Sequence, residues 1–282
     1  MKVLVTGATG FIGNYVIKEL LRRDIHVIAT SRAESIATQQ NWFNQVQFIE
    51  HDIYCKTPEN LFQKFNKPDA LIHLAWGELS NFKSQNHINT ELPSHLLFLE
   101  NLVKNGLTNL TCVGTCLEYG MQEGCLEEAM ICNPIIAYPS AKNMLRIKIE
   151  NLKLIHNFSF KWIRLFYMYG KGQSKNSILS LLENAIIRGE KSFNMSLGDQ
   201  LRDYLPVETV SNKIIECALQ IKIQGIINCS SNNPISIKSL VLNYLKENNS
   251  NINLNLGYYP YPDYEPKNFW GSDEKFKLLI HD

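Results

Sequence analysis

The first thirteen residues place a glycine-rich turn between an apolar segment and an amphipathic one. Residues 2–6 (KVLVT) are apolar and β-branched, which is typical of a buried central strand. Residues 7–13 (GATGFIG) follow, and apolar residues then recur with helical spacing. Gly7 permits a tight turn, Gly10 lets backbone N–H groups approach a pyrophosphate, and Gly13 lets the helix pack against the strand. The sequence therefore predicts a strand–turn–helix unit that binds a dinucleotide.

The end of the second predicted strand bears on which dinucleotide is bound. Residues 25–30 (IHVIAT) are predicted to form this strand, and Ser31 and Arg32 follow it. A carboxylate at this place accepts from the ribose 2′-OH of NAD, whereas an arginine accommodates the 2′-phosphate of NADP. The nearest acid, Glu34, lies in the following loop. The sequence favours NADP(H), and the alternative is that Arg32 merely begins a solvated loop.

A third strand is predicted at residues 46–50 (VQFIE), followed closely by Asp52 and Ile53. An aspartate at the exit of a parallel strand can accept from an adenine amine while the isoleucine packs on the ring. Aspartate is equally a common turn residue, so both interpretations stay open.

A fourth buried strand is predicted at residues 70–75 (ALIHLA). We interpret His73 within it as a core histidine rather than a catalyst. Trp76 leaves the strand at its carboxyl end, where open α/β sheets bind ligands.

Composition indicates an ordinary globular protein of 282 residues, 45% hydrophobic and 20% charged. Twenty-eight basic residues balance 27 acidic ones, so nothing in the charge indicates a nucleic-acid or membrane partner. No apolar stretch reaches membrane-spanning length, and the N-terminus lacks a signal-peptide core. The seven cysteines are odd in number and include no CxxC pair, which favours a reducing cytoplasm. No HExxH motif or Cys/His cluster is present, so no metal is predicted.

A tyrosine and a lysine are placed four residues apart in the second half of the chain. Helices are predicted at residues 86–105 and 138–156, with a fifth strand at 110–113 between them. Tyr138 and Lys142 share one face of the second helix. An ammonium beside a phenol favours the phenolate and lowers its pKa, so the tyrosine becomes a usable proton donor or acceptor.

The remaining chain is predicted to alternate helices and short strands. Helices are expected at 177–188, 207–220 and 236–247, a strand at 226–229 and a loop at the Asn-rich stretch 248–255. The tail at 257–270 (GYYPYPDYEPKNFW) is rich in aromatic residues and proline. These aromatic side chains either stack on a nucleotide base and close the cleft, or simply pack against the smaller lobe.

Taken together, several motifs resemble the extended short-chain dehydrogenase/reductase family of sugar-nucleotide epimerases, dehydratases and reductases. They are GATGFIG (7–13), GTCLEYG (114–120), YPSAK (138–142), RLFYMYG (164–170) and GDQLRDYL (198–205). The resemblance implies an α/β fold, with a Rossmann-type doubly wound parallel sheet and a smaller C-terminal α/β substrate lobe. It also implies a dinucleotide-binding domain at 1–166, to which 202–222 returns, and an interleaved substrate lobe at 167–282.

The resemblance implies roles for individual residues. Tyr138 is the expected acid/base, Lys142 its electrostatic partner and a ribose ligand, and Thr115 a donor to the substrate oxygen. Arg202 is expected to hold the nucleotide diphosphate, and the alternative is a surface ion pair with Asp199 or Asp203. The expected substrate-binding residues are Thr115, Tyr138, Tyr167 and Arg202. The expected cofactor-binding residues are Gly7, Thr9, Gly10, Phe11, Ile12, Gly13, Ser31, Arg32, Asp52, Ile53, Leu74, Ala75, Trp76, Asn89, Tyr138, Lys142 and Phe166, the last beside the nicotinamide.

Departures from the family's patterns narrow the reaction that the resemblance implies. Dehydratases carry an Asp-Glu pair where this chain has Cys116 and Leu117. The epimerase/reductases that make GDP-fucose carry a cysteine at the position of Leu117, and 4-epimerases usually have asparagine at that of Tyr167. What remains is hydride transfer from NADPH to a keto carbon. The segments HLAWGEL, VGTCLEYG, RLFYMYGKGQ and DYEPKNFWG resemble reductases of nucleotide-linked 4-keto-6-deoxyhexoses. This resemblance implies reduction of such a sugar, with dTDP favoured, for surface-polysaccharide synthesis. The alternatives are a 4-epimerase with tightly bound NAD(P) and a non-catalytic NADP-binding regulator.

The family resemblance also implies a partner. Members often dimerise through two long helices, which here are the predicted helices at 86–105 and 138–156. Packed against the same pair of a second copy, they form a four-helix bundle. The expected partners are therefore a nucleotide-diphosphate sugar and a second copy of the chain, with no nucleic acid and no membrane.

Overall fold

A parallel sheet of seven strands forms the centre of the computed structural model, which describes residues 1–55 and 58–279. Every pair of neighbouring strands in this sheet is parallel. In spatial order the strands are β12 (Gly225–Cys229), β7 (Ser159–Leu165), β5 (Asn109–Thr115), β4 (Ala70–His73), β1 (Lys2–Thr6), β2 (His26–Thr30) and β3 (Gln47–Phe48).

Helices cover both faces of this sheet. The helices are α1 (Phe11–Arg22), α2 (Glu34–Ala37), α3 (Leu61–Lys64), α4 (Leu92–Lys104), α5 (Ala137–Leu152), α6 (Ile178–Ile187), α7 (Val207–Ala218), α8 (Ile237–Glu247) and α9 (Glu274–Lys277). Val3 and Val5 of β1 join one core with α1 and α7, while Leu4 joins the other with α3, α4 and α5. Because side chains alternate across a strand, β1 is buried on both faces. The predicted Rossmann-type doubly wound sheet is confirmed.

A third core lies in the C-terminal part of the chain. Leu179 and Leu182 of α6 pack there with Leu240 and Val241 of α8. Short paired strands surround it and the tail: β6 (Gly124–Leu126), β8 (Tyr167–Tyr169), β9 (Ser192–Asn194), β10 (Leu201–Arg202), β11 (Tyr204–Pro206), β13 (Ile235–Ser236), β14 (Asn253–Asn255) and β15 (Phe269–Gly271). In contrast to α6 and α8, α7 packs against α1 in the core of the large sheet.

Some predicted boundaries were wrong. The helix predicted at 86–105 begins with a π turn at His87–Glu91 and continues as α4. The loop predicted at 248–255 contains β14, and the tail contains β15, which pairs with β6. Strand β7 was not predicted, because Lys161 and Arg164 interrupt its apolar pattern although both are fully buried.

In the part of the chain that the structure describes, no helix combines the length and apolarity needed to cross a membrane. All seven cysteines are free thiols.

Candidate active site

A cleft of about 660 Å³ opens at the carboxyl ends of β1, β2 and β4. Most of the predicted cofactor residues line it: Gly7, Thr9, Gly10, Phe11, Ile12, Gly13, Ser31, Arg32, Ile53, Leu74, Ala75 and Trp76. Three segments distant in sequence, the glycine turn and the exits of two strands, therefore meet at one site, as expected for a doubly wound sheet.

The glycine turn is closed so tightly that side chains are excluded from it. Gly7 has a φ of +66°, and a Cβ there would lie 2.8 Å from the backbone nitrogen of Ala75. A Cβ on Gly13 would overlap the carbonyl oxygen of Gly7. No side chain caps the N-terminus of α1, so its first N–H groups are available at the cleft. This donor set fits a pyrophosphate.

Arg32 lies on the cleft wall beside an aromatic ring. Its guanidinium carbon is 5.7 Å from the centre of the Tyr54 ring, and its side chain is exposed. Within residues 1–55 and 58–279, no ion pair of Arg32 is seen. Ser31 contributes its hydroxyl to a local bond, donating to the carbonyl of Ala33 at 3.4 Å. In the described part of the chain, Arg32 thus contacts a ring face and remains exposed, so it can meet a phosphate.

Besides Tyr138 and Lys142, which are described below, three predicted cofactor residues do not line this cleft. Asp52 accepts from the backbone N–H of Tyr54 at 3.1 Å, so it acts as the turn residue that the sequence left open as an alternative. Asn89 is exposed in the π turn and lines a neighbouring cavity instead. Phe166 is buried against Tyr119 and Phe269. The geometry gives none of the three a direct approach to the cleft.

Tyr138 and Lys142 both contact Trp76, a residue of the cleft wall. The Lys142 ammonium lies 4.0 Å from the centre of the Trp76 ring and donates to the carbonyl of Val113 at 3.0 Å. The Tyr138 ring is 6.3 Å from that of Trp76, edge to face, and stacks on Phe82 with a centroid distance of 5.0 Å. The helical spacing thus brings both residues against Trp76 on the cleft wall, although neither lines the cleft itself.

The predicted effect of Lys142 on Tyr138 is wrong for this state of the protein. Burial, together with the nearby charge of Glu118, raises the pKa of Tyr138 well above its ordinary value. Burial lowers the pKa of Lys142 to about 8. Lys142 is held by Val113 and Trp76 rather than by the phenol, so desolvation dominates at Tyr138.

Thr115 ends β5 and caps the short helix at Cys116–Tyr119. Its hydroxyl accepts from the backbone N–H of Leu117, and its own N–H donates to Glu118 at 2.9 Å. The neighbouring side chains Cys116 and Leu117 pack in the same apolar cluster as Tyr138. Thr115 therefore ends its strand next to residues that pack with Tyr138.

A buried carboxylate, Glu118, supports Thr115, and the sequence analysis did not predict it. Glu118 accepts from Trp162 at 3.0 Å and from Arg164 at 2.9 Å, and both it and Arg164 are fully buried. The Thr-x-x-Glu spacing at residues 115–118 is a capping-box pattern and could have revealed it. Glu118 holds Thr115 in place through the backbone.

The structure does not present Arg202 as an anion-binding residue. Its guanidinium is 3% exposed and pairs with Glu265 at 2.9 Å. It also donates to the carbonyls of Leu201, Pro266 and Lys267. The alternative of a surface pair with an aspartate is wrong too, because the partner is a tail carboxylate that no local spacing predicts.

Tyr167 is half-buried and lies near this arginine. The centre of its ring is 5.6 Å from the guanidinium carbon of Arg202, and desolvation raises the pKa of its phenol. Tyr167 packs in the same cluster as Tyr138 and Phe166.

Among the described residues, no group of three or more His, Cys, Asp or Glu side chains could hold a metal ion. The glycine turn lines a cleft with a donor set that fits a pyrophosphate, and Tyr138 contacts the wall of that cleft, which is the arrangement of a dinucleotide-dependent type of site.

Comparison with known families agrees with this class. Residues 3–230 match the model of the NAD dependent epimerase/dehydratase family, and the chain belongs to that family. A dTDP-6-deoxy-L-talose 4-dehydrogenase (NAD(+)) of Aggregatibacter actinomycetemcomitans is 29% identical over 274 residues, 96% of this chain and 100% of the relative. A dTDP-4-dehydro-6-deoxyglucose reductase of Escherichia coli is 24% identical over 255 residues, 85% of this chain and 79% of the relative.

Solved structures share the fold. The structure described as MoeE5 in complex with UDP-glucose and NAD superposes with a TM-score of 0.82 at 21% identity, covering 99% of this chain and 92% of the other.

Proposed function

We propose that this chain reduces the 4-keto group of a nucleotide-linked 4-keto-6-deoxyhexose with NADPH. The observation that carries the proposal is the contact of Tyr138 and Lys142 with Trp76 on the wall of the cleft. This contact supports Tyr138 as a proton donor close to the proposed dinucleotide site. The names of two relatives support the substrate class, since one is a 4-dehydrogenase and the other a reductase of dTDP-linked 6-deoxy sugars.

The chain's own residues supply the proton and orient the ketone. A bound reduced nicotinamide supplies the hydride. Tyr138 donates its proton to the oxygen that becomes the new hydroxyl, and Thr115 donates a hydrogen bond to the same oxygen. Lys142 places a positive charge nearby. Dehydrogenation of an alcohol is this step in reverse, so a 4-dehydrogenase and a 4-keto reductase need the same groups.

NADP(H) is the proposed cofactor, bound at the cleft described above. Arg32 supports this choice, because it stands at the end of β2 and its only described side-chain contact is the Tyr54 ring. Glu34 is exposed on the following helix. One relative is named for NAD(+), so the choice of dinucleotide is the part of the proposal that is tested separately.

The rest of the proposal concerns assembly and location. We divide the chain into a dinucleotide-binding domain at 1–166, with 202–222, and a substrate lobe at 167–282. We further propose a cytoplasmic homodimer that packs α4 and α5 into a four-helix bundle. Exposed apolar side chains on these helices support it: Leu97, Met144 and Ile147. Light scattering on the purified protein tests the dimer.

A panel of 4-keto-6-deoxyhexoses linked to dTDP, GDP, CDP and UDP tests the reaction, with NADPH oxidation followed by absorbance. The expected result is stoichiometric oxidation with one or two of these substrates and a new hydroxyl at C4 by NMR. Bound nicotinamide after purification, with sugar interconversion and no net oxidation, would instead indicate the 4-epimerase. Cofactor binding without turnover on any substrate would indicate the regulator.

A further inference from the structure

A chain of buried hydrogen bonds runs beneath the cleft from one end to the other. The Thr6 hydroxyl meets His73 at 2.9 Å, and His73 meets His95 at 2.8 Å. His95 meets Glu91 at 3.1 Å, and Glu91 accepts from the Tyr54 hydroxyl at 2.5 Å. Thr6, His95 and Tyr54 line the cleft themselves.

We propose that Glu91 is a positioning residue. Through this series of hydrogen bonds it keeps the two ends of the cofactor cleft correctly placed relative to each other. The inference rests on the proposed function, because it concerns the cleft assigned there to the dinucleotide. Glu91 is 3% exposed, and the partners seen in the described residues are Tyr54, Gly77 and His95. It acts on the cofactor only through the residues that it holds.

The groups at the two ends of this series determine which atom donates and which accepts in each hydrogen bond. Glu91 is a carboxylate, because hydrogen bonds from His95 and Tyr54 outweigh burial and hold its pKa at about 2. His95 must therefore donate to Glu91 and accept from His73. His73 in turn accepts from the Thr6 hydroxyl, which accepts from the N–H of Ala75 at 3.3 Å. Each donor has one acceptor, so the carboxylate fixes both imidazole tautomers.

A local irregularity of the helix brings these groups together. His87, Glu91 and His95 are spaced four apart, and an α-helix advances slightly more than one turn in four residues. A π turn contains more residues per turn, so the π turn at His87–Glu91 offsets this extra rotation. Trp76 on the cleft wall contacts two residues of this segment: it stacks on His95, with ring centroids 4.6 Å apart, and donates to His87 at 3.1 Å.

Glu91 reaches both functional ends of the cleft. At one end it holds Tyr54, whose ring lies beside Arg32. At the other end it accepts from the N–H of Gly77 at 2.8 Å and holds His95, on which Trp76 stacks. Loss of the carboxylate leaves the donors of Tyr54, Gly77 and His95 without their acceptor.

Glu91→Leu tests the proposal, with the dissociation constants of NADPH and NADH as readouts. Three buried donors lose their acceptor, so we expect binding of the preferred dinucleotide to weaken by roughly tenfold or more. The turnover number at saturating cofactor should change by less than about threefold, because the loss falls on binding. Glu91→Gln should restore most of the affinity, since its oxygen serves Gly77 and His95 and the Tyr54 hydroxyl can accept from its amide.

Glu100→Leu on α4 is the matched control, because Glu100 makes a surface ion pair with Lys104. It should leave cofactor affinity unchanged. Wild-type affinity in folded Glu91→Leu overturns the inference alone, whereas failure of the wild-type protein to bind either dinucleotide overturns the proposed function. If Glu91→Leu does not fold, a double-mutant cycle of Glu91→Gln with Tyr54→Phe decides. Non-additive effects on the dissociation constant support the chain, and additive effects overturn it.

Discussion

Lys142 and Arg202 are both buried cations near the candidate active site, but their surroundings differ. Lys142 has one backbone acceptor and the face of Trp76. Arg202 has the carboxylate of Glu265 and three backbone carbonyls. A cation with few partners remains able to meet a ligand, whereas one with a full set of acceptors serves to fix the backbone around it. Sequence motifs alone gave both residues functional roles.

The pKa values follow the same difference. Burial lowers the pKa of Lys142 to about 8, and the charges of Cys112, Glu118 and Glu91 offset this only in part. Arg202 is also desolvated, yet the charges of Tyr167 and Glu265 raise its pKa. The positive charge of Lys142 is therefore only partly balanced by its surroundings, whereas that of Arg202, which anchors the tail, is balanced by a carboxylate.

The contrast drawn between Lys142 and Arg202 fails if the Lys142 region is not catalytic. Tyr138→Phe removes the proposed proton donor and should lower the turnover number by about 10² to 10⁴, with cofactor affinity retained. Steady-state kinetics with the best substrate of the panel measure it. Tyr244→Phe in α8, far from the cleft residues, is the control and should turn over normally. Unchanged turnover in Tyr138→Phe would exclude the proposed mechanism.

The second residue of the comparison, Arg202, is tested through the tail segment that pairs with it. Glu265→Gln leaves Arg202 buried without its carboxylate, and we expect the free energy of unfolding to fall by about 3 kcal/mol. Urea titration measures this fall. The control Asp199→Asn removes an exposed pair with Lys267, 2.7 Å long, and should cost less than about 1 kcal/mol. A stable Glu265→Gln protein with tighter substrate binding would show instead that Arg202 is a substrate ligand held back by the tail.

How much could be predicted from sequence depends on the distance along the chain between interacting residues. The glycine turn and the Tyr138–Lys142 pair are local patterns, and both lie at the cleft. Three of the four partners of Arg202 lie more than sixty residues away in the tail, so no periodicity reveals them. Likewise Glu91 and His95 have helical spacing, but only tertiary packing brings His73 to them. Strand β7 of the central sheet was not predicted for the same reason: tertiary packing buries its charged residues, and the sequence pattern does not show this.

Lys142→Met sharpens the comparison through pH. The native pKa of Lys142 lies below its ordinary value, so the unfolded chain binds more protons between about pH 8 and 10.5, and wild-type stability rises with pH there. Below pH 8 the native protein carries the full cost of the buried charge. Lys142→Met should therefore be more stable than wild type at pH 7, by about 2 to 3 kcal/mol, while losing activity. This advantage should shrink between pH 8 and 10.5 in urea titrations, and a constant advantage would contradict the assignment.

The smallest expected effect concerns Arg32, an exposed cation that complements the two buried ones. If it binds the 2′-phosphate, Arg32→Ala should weaken NADPH by about tenfold, the loss of one charge-assisted bond, and change NADH by less than about twofold. Fluorescence titration with both dinucleotides measures the ratio. Arg188→Ala, an exposed residue paired with Glu190 on the other lobe, is the control. Equal losses for NADPH and NADH would mean that Arg32 supports Tyr54 rather than the phosphate, and the proposed cofactor would then be NAD.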